Sequence, residues 1–131
     1  MTVIKKLNDL DKILSKLSRK KILSLVPTMG SLHKGHISLI KSALKYSDEV
    51  WVSIFVNPTQ FNDINDYKKY PVNSKEDINI IKSIDQNLNI FLPSIDDIYG
   101  KKIISDKFNF NGIDKILEGI KRPGHFDGVA T

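Results

Sequence analysis

The chain contains no cysteine, which excludes disulfide bonds and thiolate chemistry and is compatible with a reducing compartment. It also has no apolar run that approaches the roughly 18 residues of a membrane-spanning helix. The first residues lack the long apolar core of a signal peptide. We therefore expect a cytoplasmic protein without a membrane partner.

Blocks of like charge are missing as well. The 20 Lys and Arg residues outnumber the 15 Asp and Glu residues, which gives a formal net charge of +5. The basic residues are scattered along the chain, a pattern typical of a solvated surface. The sequence therefore predicts no nucleic-acid partner. At 131 residues, without repeats or linkers, it predicts one domain over residues 1–131 with one hydrophobic core.

Three short apolar runs, at 22–26, 49–56 and 90–93, predict the strands of a sheet. The second run is polar only at Ser53 after Glu49, which is typical of a parallel strand covered on both faces. Pro27 has no N–H group and is expected to end the pairing of the first strand. Helical segments between the runs make strand–helix–strand units, so we predict an α/β fold with a parallel sheet.

Apolar spacing predicts the helices of this fold. One covers residues 7–18 and is closed by Arg19, Lys20 and Lys21; a second reaches about Tyr46. A third begins with a Ser74-x-x-Asp77 capping box and buries the stripe formed by Ile78, Ile81 and Ile84. The remaining segments predict a polar loop at 62–72, a helical turn at 96–99, an edge strand at 108–110, a short helix at 113–117 and a ligand loop at 122–131.

One motif lies where the first strand ends and the second helix begins, and it reads Pro27-Thr28-Met29-Gly30-Ser31-Leu32-His33-Lys34-Gly35-His36. Strand ends in open α/β sheets form a crevice, and helix N-termini present N–H groups to phosphates. Gly30 and Gly35 allow a close approach of the backbone to a ligand. His33 and His36 are three residues apart, so both imidazoles can face one side. The motif predicts a site for a polyphosphate that gains negative charge.

A second polar loop, Asn57-Pro58-Thr59-Gln60-Phe61, follows the second strand. Because the carboxyl ends of parallel strands lie at one edge of a sheet, we expect it to open on the same crevice as the histidines. The Gln60 amide offers both a donor and an acceptor, although it could instead cap its own loop.

These two blocks, the second taken from Ser53 to Phe61, resemble the pantothenate synthetase (pantoate–β-alanine ligase) family. So do Tyr70-Pro71, Leu117-Glu118-Gly119 and the segment from Arg122 to Val129. The resemblance implies a Rossmann-like sheet of the nucleotidyl-transferase type, with a C-terminal lid domain that is absent here. It implies an ATP-dependent condensation of pantoate with β-alanine through pantoyl adenylate, with Mg²⁺ accompanying ATP. It also implies a homodimer for the full-length enzyme.

The resemblance assigns individual residues as well. The ATP-binding segment would consist of Met29, Gly30, Ser31, Leu32, His33, Lys34, Gly35 and His36. His36 would serve as proton donor or phosphate stabiliser, with His33 beside it. Pantoate and β-alanine would be bound by Gln60 together with Pro27, Thr28 and Asn57. Tyr70, Glu118 and Arg122 match family blocks near the pocket, although Glu118 and Arg122 could simply pair with each other.

The family continues past Thr131 with segments that hold the ATP phosphates, so we expect this chain to be a fragment or a truncated product with negligible turnover alone. Two alternatives stay open from the residues themselves. One is another nucleotidyl transferase with a His-x-Gly-His motif. The other is a non-catalytic remnant that needs a second half. A zinc site is disfavoured because no third ligand adjoins the two histidines.

Overall fold

A computed structural model describes residues 1–18 and 20–131 and divides them into two compact units. The first unit comprises Met1–Phe55 and Pro71–Ile98, and the second comprises Val56–Tyr70 and Tyr99–Thr131. Arg19, which we expected at the end of the first helix, lies outside the described residues. Within those residues, no helix has both the length and the apolar character needed to cross a membrane.

The first unit is built on a four-stranded parallel sheet. Its strands are β1 (Val3–Ile4), β2 (Leu23–Thr28), β3 (Glu49–Ile54) and β4 (Asn89–Phe91), in the spatial order β1-β4-β3-β2. All three pairings are parallel, with Val26 opposite Val52 and Val52 opposite Ile90. The predicted α/β class with a parallel sheet is confirmed. The two-residue strand β1 was not predicted.

The prediction that pairing stops at Pro27 was wrong, because β2 continues opposite β3 through Pro27 and Thr28. The carbonyl oxygen of Thr28 accepts a hydrogen bond from the Phe55 N–H at 2.9 Å, so Thr28 points its backbone groups toward β3. Backbone groups alternate sides along a strand, and β2 is the last strand of this sheet. Pro27 therefore turns to the open edge, where its missing N–H costs no ladder bond.

Among its described residues, this unit contains four helices: α1 (Leu7–Leu14), α2 (Lys34–Tyr46), α4 (Ser74–Ile84) and α5 (Ile95–Tyr99), the last of which ends in the second unit. The core combines strand residues with one buried side each of α2 and α4: Val26, Ile40, Val50, Val52, Ile54, Ile81, Leu88 and Ile90. Ile78 and Ile84 pack against this cluster, which confirms the predicted stripe. The first helix ends four residues earlier than expected, at Leu14.

The second unit has only short elements. They are a 3-10 turn at Pro58–Gln60, α3 (Ile64–Lys69), a 3-10 turn at Ile113–Lys115, α6 (Glu118–Lys121) and α7 (His125–Ala130). The predicted loop at 62–72 thus contains a helix, because Asp63 caps it by accepting the Asn65 N–H at 2.7 Å. Residues 108–110 form no strand, and 113–117 form a turn instead of a helix. Most of the predicted ligand loop at 122–131 is helix α7.

Candidate functional site

The loop between β2 and α2 has an unusual backbone. Gly30 and Ser31 both have positive φ, at 81° and 51°, which for Ser31 costs on the order of 1 kcal/mol. The Gly30 N–H donates to Oγ1 of Thr28 at 3.2 Å, and that hydroxyl donates to the carbonyl oxygen of Ser53 at 2.8 Å. Thr28, which we expected to help bind pantoate, is buried, and its hydroxyl joins the start of the loop to β3.

A buried carboxylate that the sequence analysis missed lies beneath this loop. Asp77, in the first turn of α4, is 3% exposed. Its Oδ2 accepts the Ser31 N–H at 3.1 Å and its Oδ1 accepts the Leu32 N–H at 2.8 Å. A Cβ on Gly30 would lie 2.8 Å from Oδ2, so only glycine fits there. Asp77 therefore organises the loop.

The prediction of a Ser74-x-x-Asp77 capping box at the start of α4 was wrong, because the Asp77 carboxylate accepts N–H groups of the loop instead. Asn73 is the N-cap, and its side chain accepts the Glu76 N–H at 3.3 Å, while Asp77 turns inward. One sequence signal could have revealed this. Asp77 precedes Ile81 and Ile84 at i+4 and i+7, so it lies on the buried side of the helix, where a charged residue needs hydrogen-bond partners.

The two histidines of the motif hold one another at the start of α2. The Nδ1 atom of His33, the N-cap, accepts the Gly35 N–H at 3.1 Å. The Nδ1 atom of His36 in turn accepts the His33 N–H at 3.3 Å, and the two ring centroids are 4.0 Å apart. Because both Nδ1 atoms act as acceptors, the proton of each neutral ring is on Nε2. Each imidazole thus keeps an N–H donor at Nε2.

The surroundings of His36 favour its neutral form. Partial burial lowers the pKa of His36 below its usual 6.5, and the neighbouring His33 lowers it further, whereas the charge of Asp77 acts in the opposite direction. At neutral pH the ring is therefore an uncharged donor. Two N–H donors at the positive end of a 13-residue helix are suited to bind the oxygens of a phosphate group.

The exposed side of α2 offers a second, weaker possibility for anions. A shallow depression of about 550 Å³ is lined by Lys34, Ile37, Ser38, Lys41, Ser42 and Lys45. Its cations are solvated lysines on one helix, and no histidine lines it. Lys34, the first residue of α2, belongs both to the motif and to this depression.

In the second unit, Asn57 is the centre of a hydrogen-bond cluster. Its Oδ1 accepts the Thr59 N–H at 3.2 Å and the Tyr99 hydroxyl at 2.6 Å, and its Nδ2 donates to the carbonyl oxygen of Gly128 at 2.8 Å. Asn57 is 7% exposed. The side chain predicted to contact pantoate therefore joins the 58–60 turn to α7.

Unlike Asn57, Gln60 forms its hydrogen bonds through backbone atoms. Its backbone N–H donates to the Asn57 carbonyl at 3.2 Å, and its carbonyl oxygen pairs with Nδ1 of His125 at 2.7 Å. Within the part of the chain that the structure describes, no hydrogen bond engages the Gln60 side-chain amide. The alternative that Gln60 caps its own loop is therefore wrong, since Asn57 does so.

The other predicted pocket residues of this unit are spread over its short elements. The Tyr70 ring meets the edge of Phe61 with centroids 5.6 Å apart. Glu118 begins α6 and Arg122 follows its end. Both residues are described, and no ion pair joins their side chains, so the alternative of a mutual salt bridge is not observed. The expectation that Gln60 and the histidines open on one crevice stays a prediction.

Comparisons with known proteins give a consistent result. Residues 2–131 match the family model described as Pantoate-beta-alanine ligase. The pantothenate synthetase of Christiangramia forsetii is 50% identical over 111 residues, which cover 85% of this chain and 39% of that protein. That of Francisella tularensis subsp. novicida is 47% identical over 134 residues, which cover 100% of this chain and 50% of that protein. The chain thus spans half or less of the length of these curated relatives.

Solved structures agree with the sequence comparisons. The pantoate-beta-alanine ligase of Francisella tularensis, complexed with beta-gamma ATP and beta-alanine, has a TM-score of 0.88 and 44% identity. The match covers 98% of this chain and 49% of that one. The pantothenate synthetase of Thermus thermophilus has a TM-score of 0.84 and 31% identity, covering 100% of this chain and 46% of that one.

Proposed function

Because the chain belongs to the pantoate-beta-alanine ligase family, we propose that it provides the ATP-binding loop of an enzyme that joins pantoate to β-alanine. The ATP phosphates bind at the loop from Met29 to His36. Gln60 binds pantoate and helps to place β-alanine. The relatives' remaining length supplies the other groups that the reaction needs, and the complete enzyme is a homodimer.

The proposed reaction has two steps. A carboxylate oxygen of pantoate forms a bond to the α-phosphorus of ATP, and the bond from that phosphorus to its bridging oxygen breaks, so that pyrophosphate leaves with the electron pair. The amine of β-alanine then attacks the acyl carbon of pantoyl adenylate. AMP leaves, and the amine loses a proton.

One observation carries this proposal: the Nδ1 atoms of His33 and His36 are both used by backbone N–H groups of the same turn. Their Nε2–H groups are therefore fixed donors at a helix N-terminus. Negative charge grows on the β-phosphate as pyrophosphate leaves, and donors that are already oriented stabilise that charge without reorganisation. The hydrogen bond from the neutral His36 donor strengthens as the phosphate oxygen becomes more negative. It therefore stabilises the transition state more than the bound substrate.

The role of Gln60 is supported by the contrast with its neighbour. Asn57 uses its amide inside the second unit, whereas the half-buried Gln60 amide has no such partner among the described residues. An amide presents an acceptor and two donors, which suit the hydroxyl and carboxylate groups of pantoate.

The described residues do not fit Mg²⁺ as a resident ion. The described residues contain no group of three His, Asp or Glu side chains that could hold a metal. Both oxygens of Asp77 already accept backbone N–H groups. We propose that Mg²⁺ enters as the complex with ATP, which is how this ion is commonly bound by enzymes that use nucleoside triphosphates.

Pyrophosphate release tests the reaction. The chain is assayed with ATP, alone and mixed with the second half of the Francisella tularensis ligase, with and without pantoate. We expect release only in the mixture, only with pantoate, and reduced at least about 100-fold by His36→Ala. Lys41→Ala, on the exposed side of the same helix, is the matched control and should stay within about 2-fold.

Three outcomes would count against the proposal. Release with a phosphorylated alcohol in place of pantoate would indicate a different nucleotidyl transferase. Equal activity of the His36→Ala and Lys41→Ala mixtures would remove the histidine from the reaction. No release from any mixture that binds ATP would indicate a non-catalytic remnant.

A further inference from the structure

Asp77 is a buried carboxylate without a cationic partner. Among the described residues, no Lys, Arg or His nitrogen lies within ion-pair distance of it, and it is 3% exposed. Burial of such a group is costly unless hydrogen bonds compensate. Here the compensation comes from the N–H groups of Ser31 and Leu32, which lie 46 and 45 residues earlier in the chain.

The loop around this carboxylate directs two successive backbone N–H groups at one anion. Gly30 and Ser31 both have positive φ, and the N–H groups of Ser31 and Leu32 converge on the two oxygens of Asp77. Hydrogen bonds from backbone N–H groups to an ionised carboxylate are among the stronger ones in proteins. The Ser31 hydroxyl adds a bond to the carbonyl oxygen of Pro71 at 3.0 Å, and so ties the loop a second time to the segment that leads into α4.

We infer that Asp77 is the positioning residue of the nucleotide loop. Its carboxylate accepts the Ser31 and Leu32 N–H groups and holds Gly30 and Ser31 at positive φ, which places His33 as the N-cap of α2. That placement aims the Nε2–H groups of His33 and His36. Because Asp77 already accepts the Ser31 and Leu32 N–H groups, the two imidazoles bind the phosphates in place of these backbone groups. The part of this inference that concerns ATP rests on the proposed function.

Amide hydrogen exchange in the 131-residue chain tests the positioning role without any ligand. In the unmodified chain, we expect the Ser31 and Leu32 amides to be protected although both residues are only partly buried. In Asp77→Asn, the side-chain oxygen can accept one of these two N–H groups, whereas the NH₂ group is itself a donor and repels the other N–H. Exchange at both amides should then rise at least about 10-fold, with the Val52 amide in the core as internal reference.

Glu76→Gln is the matched control, because it removes a carboxylate from the same helical turn at an exposed position. It should leave exchange at Ser31 and Leu32 unchanged. Unprotected Ser31 and Leu32 amides in the unmodified chain would overturn the inference, and this first measurement needs no variant that must fold. Equal exchange in Asp77→Asn and Glu76→Gln would overturn it as well.

Two further readouts separate positioning from a merely structural role. Asp77→Asn should lower the pKa of His36 in an NMR titration, because the favourable carboxylate charge is lost, while Glu76→Gln should not. The dissociation constant for ATP should rise about 10-fold if the competent loop falls to about a tenth of the population. Unchanged ATP affinity in Asp77→Asn with a freed loop would overturn the inference. Absence of ATP binding in the unmodified chain would instead contradict the proposed function.

Discussion

In His33 and His36, backbone hydrogen bonds within one turn determine which ring nitrogen of each residue is free to donate. Each ring gives its Nδ1 atom to a backbone N–H of the same turn, so neither ring can be protonated there without losing a helix-capping bond. At neutral pH the His36 ring therefore acts as an uncharged donor through Nε2, because its pKa is lowered. This conclusion refines the sequence-based expectation of a proton donor, because a neutral imidazole donates a hydrogen bond from Nε2.

A first prediction concerns the pKa of His36. His33→Asn keeps a side-chain acceptor at the N-cap but removes a ring that lowers this pKa. We expect the NMR titration midpoint of His36 to rise toward 6.5 in this variant. A midpoint that falls or stays constant would show that His33 does not contribute through its charge.

A second prediction follows from the direction of that shift. The folded-state pKa of His36 is below its unfolded value, so the unfolded chain binds the proton more readily. The free energy of unfolding should therefore be fully present above about pH 6.5 and should decrease as the pH falls toward the folded pKa. Urea unfolding at pH 7.5 and 5.5 checks this, with His36→Asn as the reference. The decrease should be smaller in that variant, and an equal decrease would contradict the assignment.

At the scale of elements, apolar periodicity predicted the helices that have one buried side. Apolar spacing of 3.6 residues reports a buried helix face, and α2 and α4 were located correctly for that reason. Their ends depend on single side-chain bonds, so Asn73 was missed as a cap. The elements of the second unit are three to six residues long and carry no period. Contacts such as those of Asn57 with Tyr99 and Gly128 set them, and these partners are 42 and 71 residues away.

A third prediction tests the packing of α2 on the sheet. Ile40 is fully buried in the core, whereas its neighbour Leu39 is 59% exposed. Ile40→Ala should lower the free energy of unfolding by about 2 to 5 kcal/mol, since it leaves a cavity. Leu39→Ala should change it by no more than about 0.5 kcal/mol. Urea unfolding followed by circular dichroism measures both, and similar losses would contradict the described orientation of α2.

A fourth prediction tests how α7 packs within the second unit. A Cβ at Gly128 would overlap the carbonyl oxygen of Thr59, so Gly128→Ala should separate α7 from the 58–60 turn and cost about 1 to 3 kcal/mol. The Thr59 amide, which donates to Asn57, should exchange faster with solvent. Val129→Ala, at an exposed neighbouring position, is the control. Unchanged protection of Thr59 in Gly128→Ala would contradict this packing.

At the scale of the whole molecule, the motif blocks predicted the family and the apolar runs predicted the parallel sheet, and both are confirmed. The partners of Asp77 could not be predicted from local sequence, because they are 45 and 46 residues away. Its place in the apolar stripe of α4 indicated burial, but its neighbours resemble a helix cap. The residues that the structure brings together in the first unit are those of the motif with Asp77. Those of the second unit are ordered around Asn57. The Gln60 amide forms no hydrogen bond within the described residues, and its contact with a substrate stays a prediction.

The central claim is that the phosphates of ATP bind at the loop from Met29 to His36. A titration of the ¹⁵N-labelled 131-residue chain with ATP, followed by two-dimensional NMR, tests it most directly. We predict that saturable shifts concentrate on the backbone of residues 29–36 and on the Nε2 resonances of His33 and His36. Shifts confined to the lysine side of α2, at Lys41 and Lys45, or no saturable shift at millimolar ATP, would contradict the account.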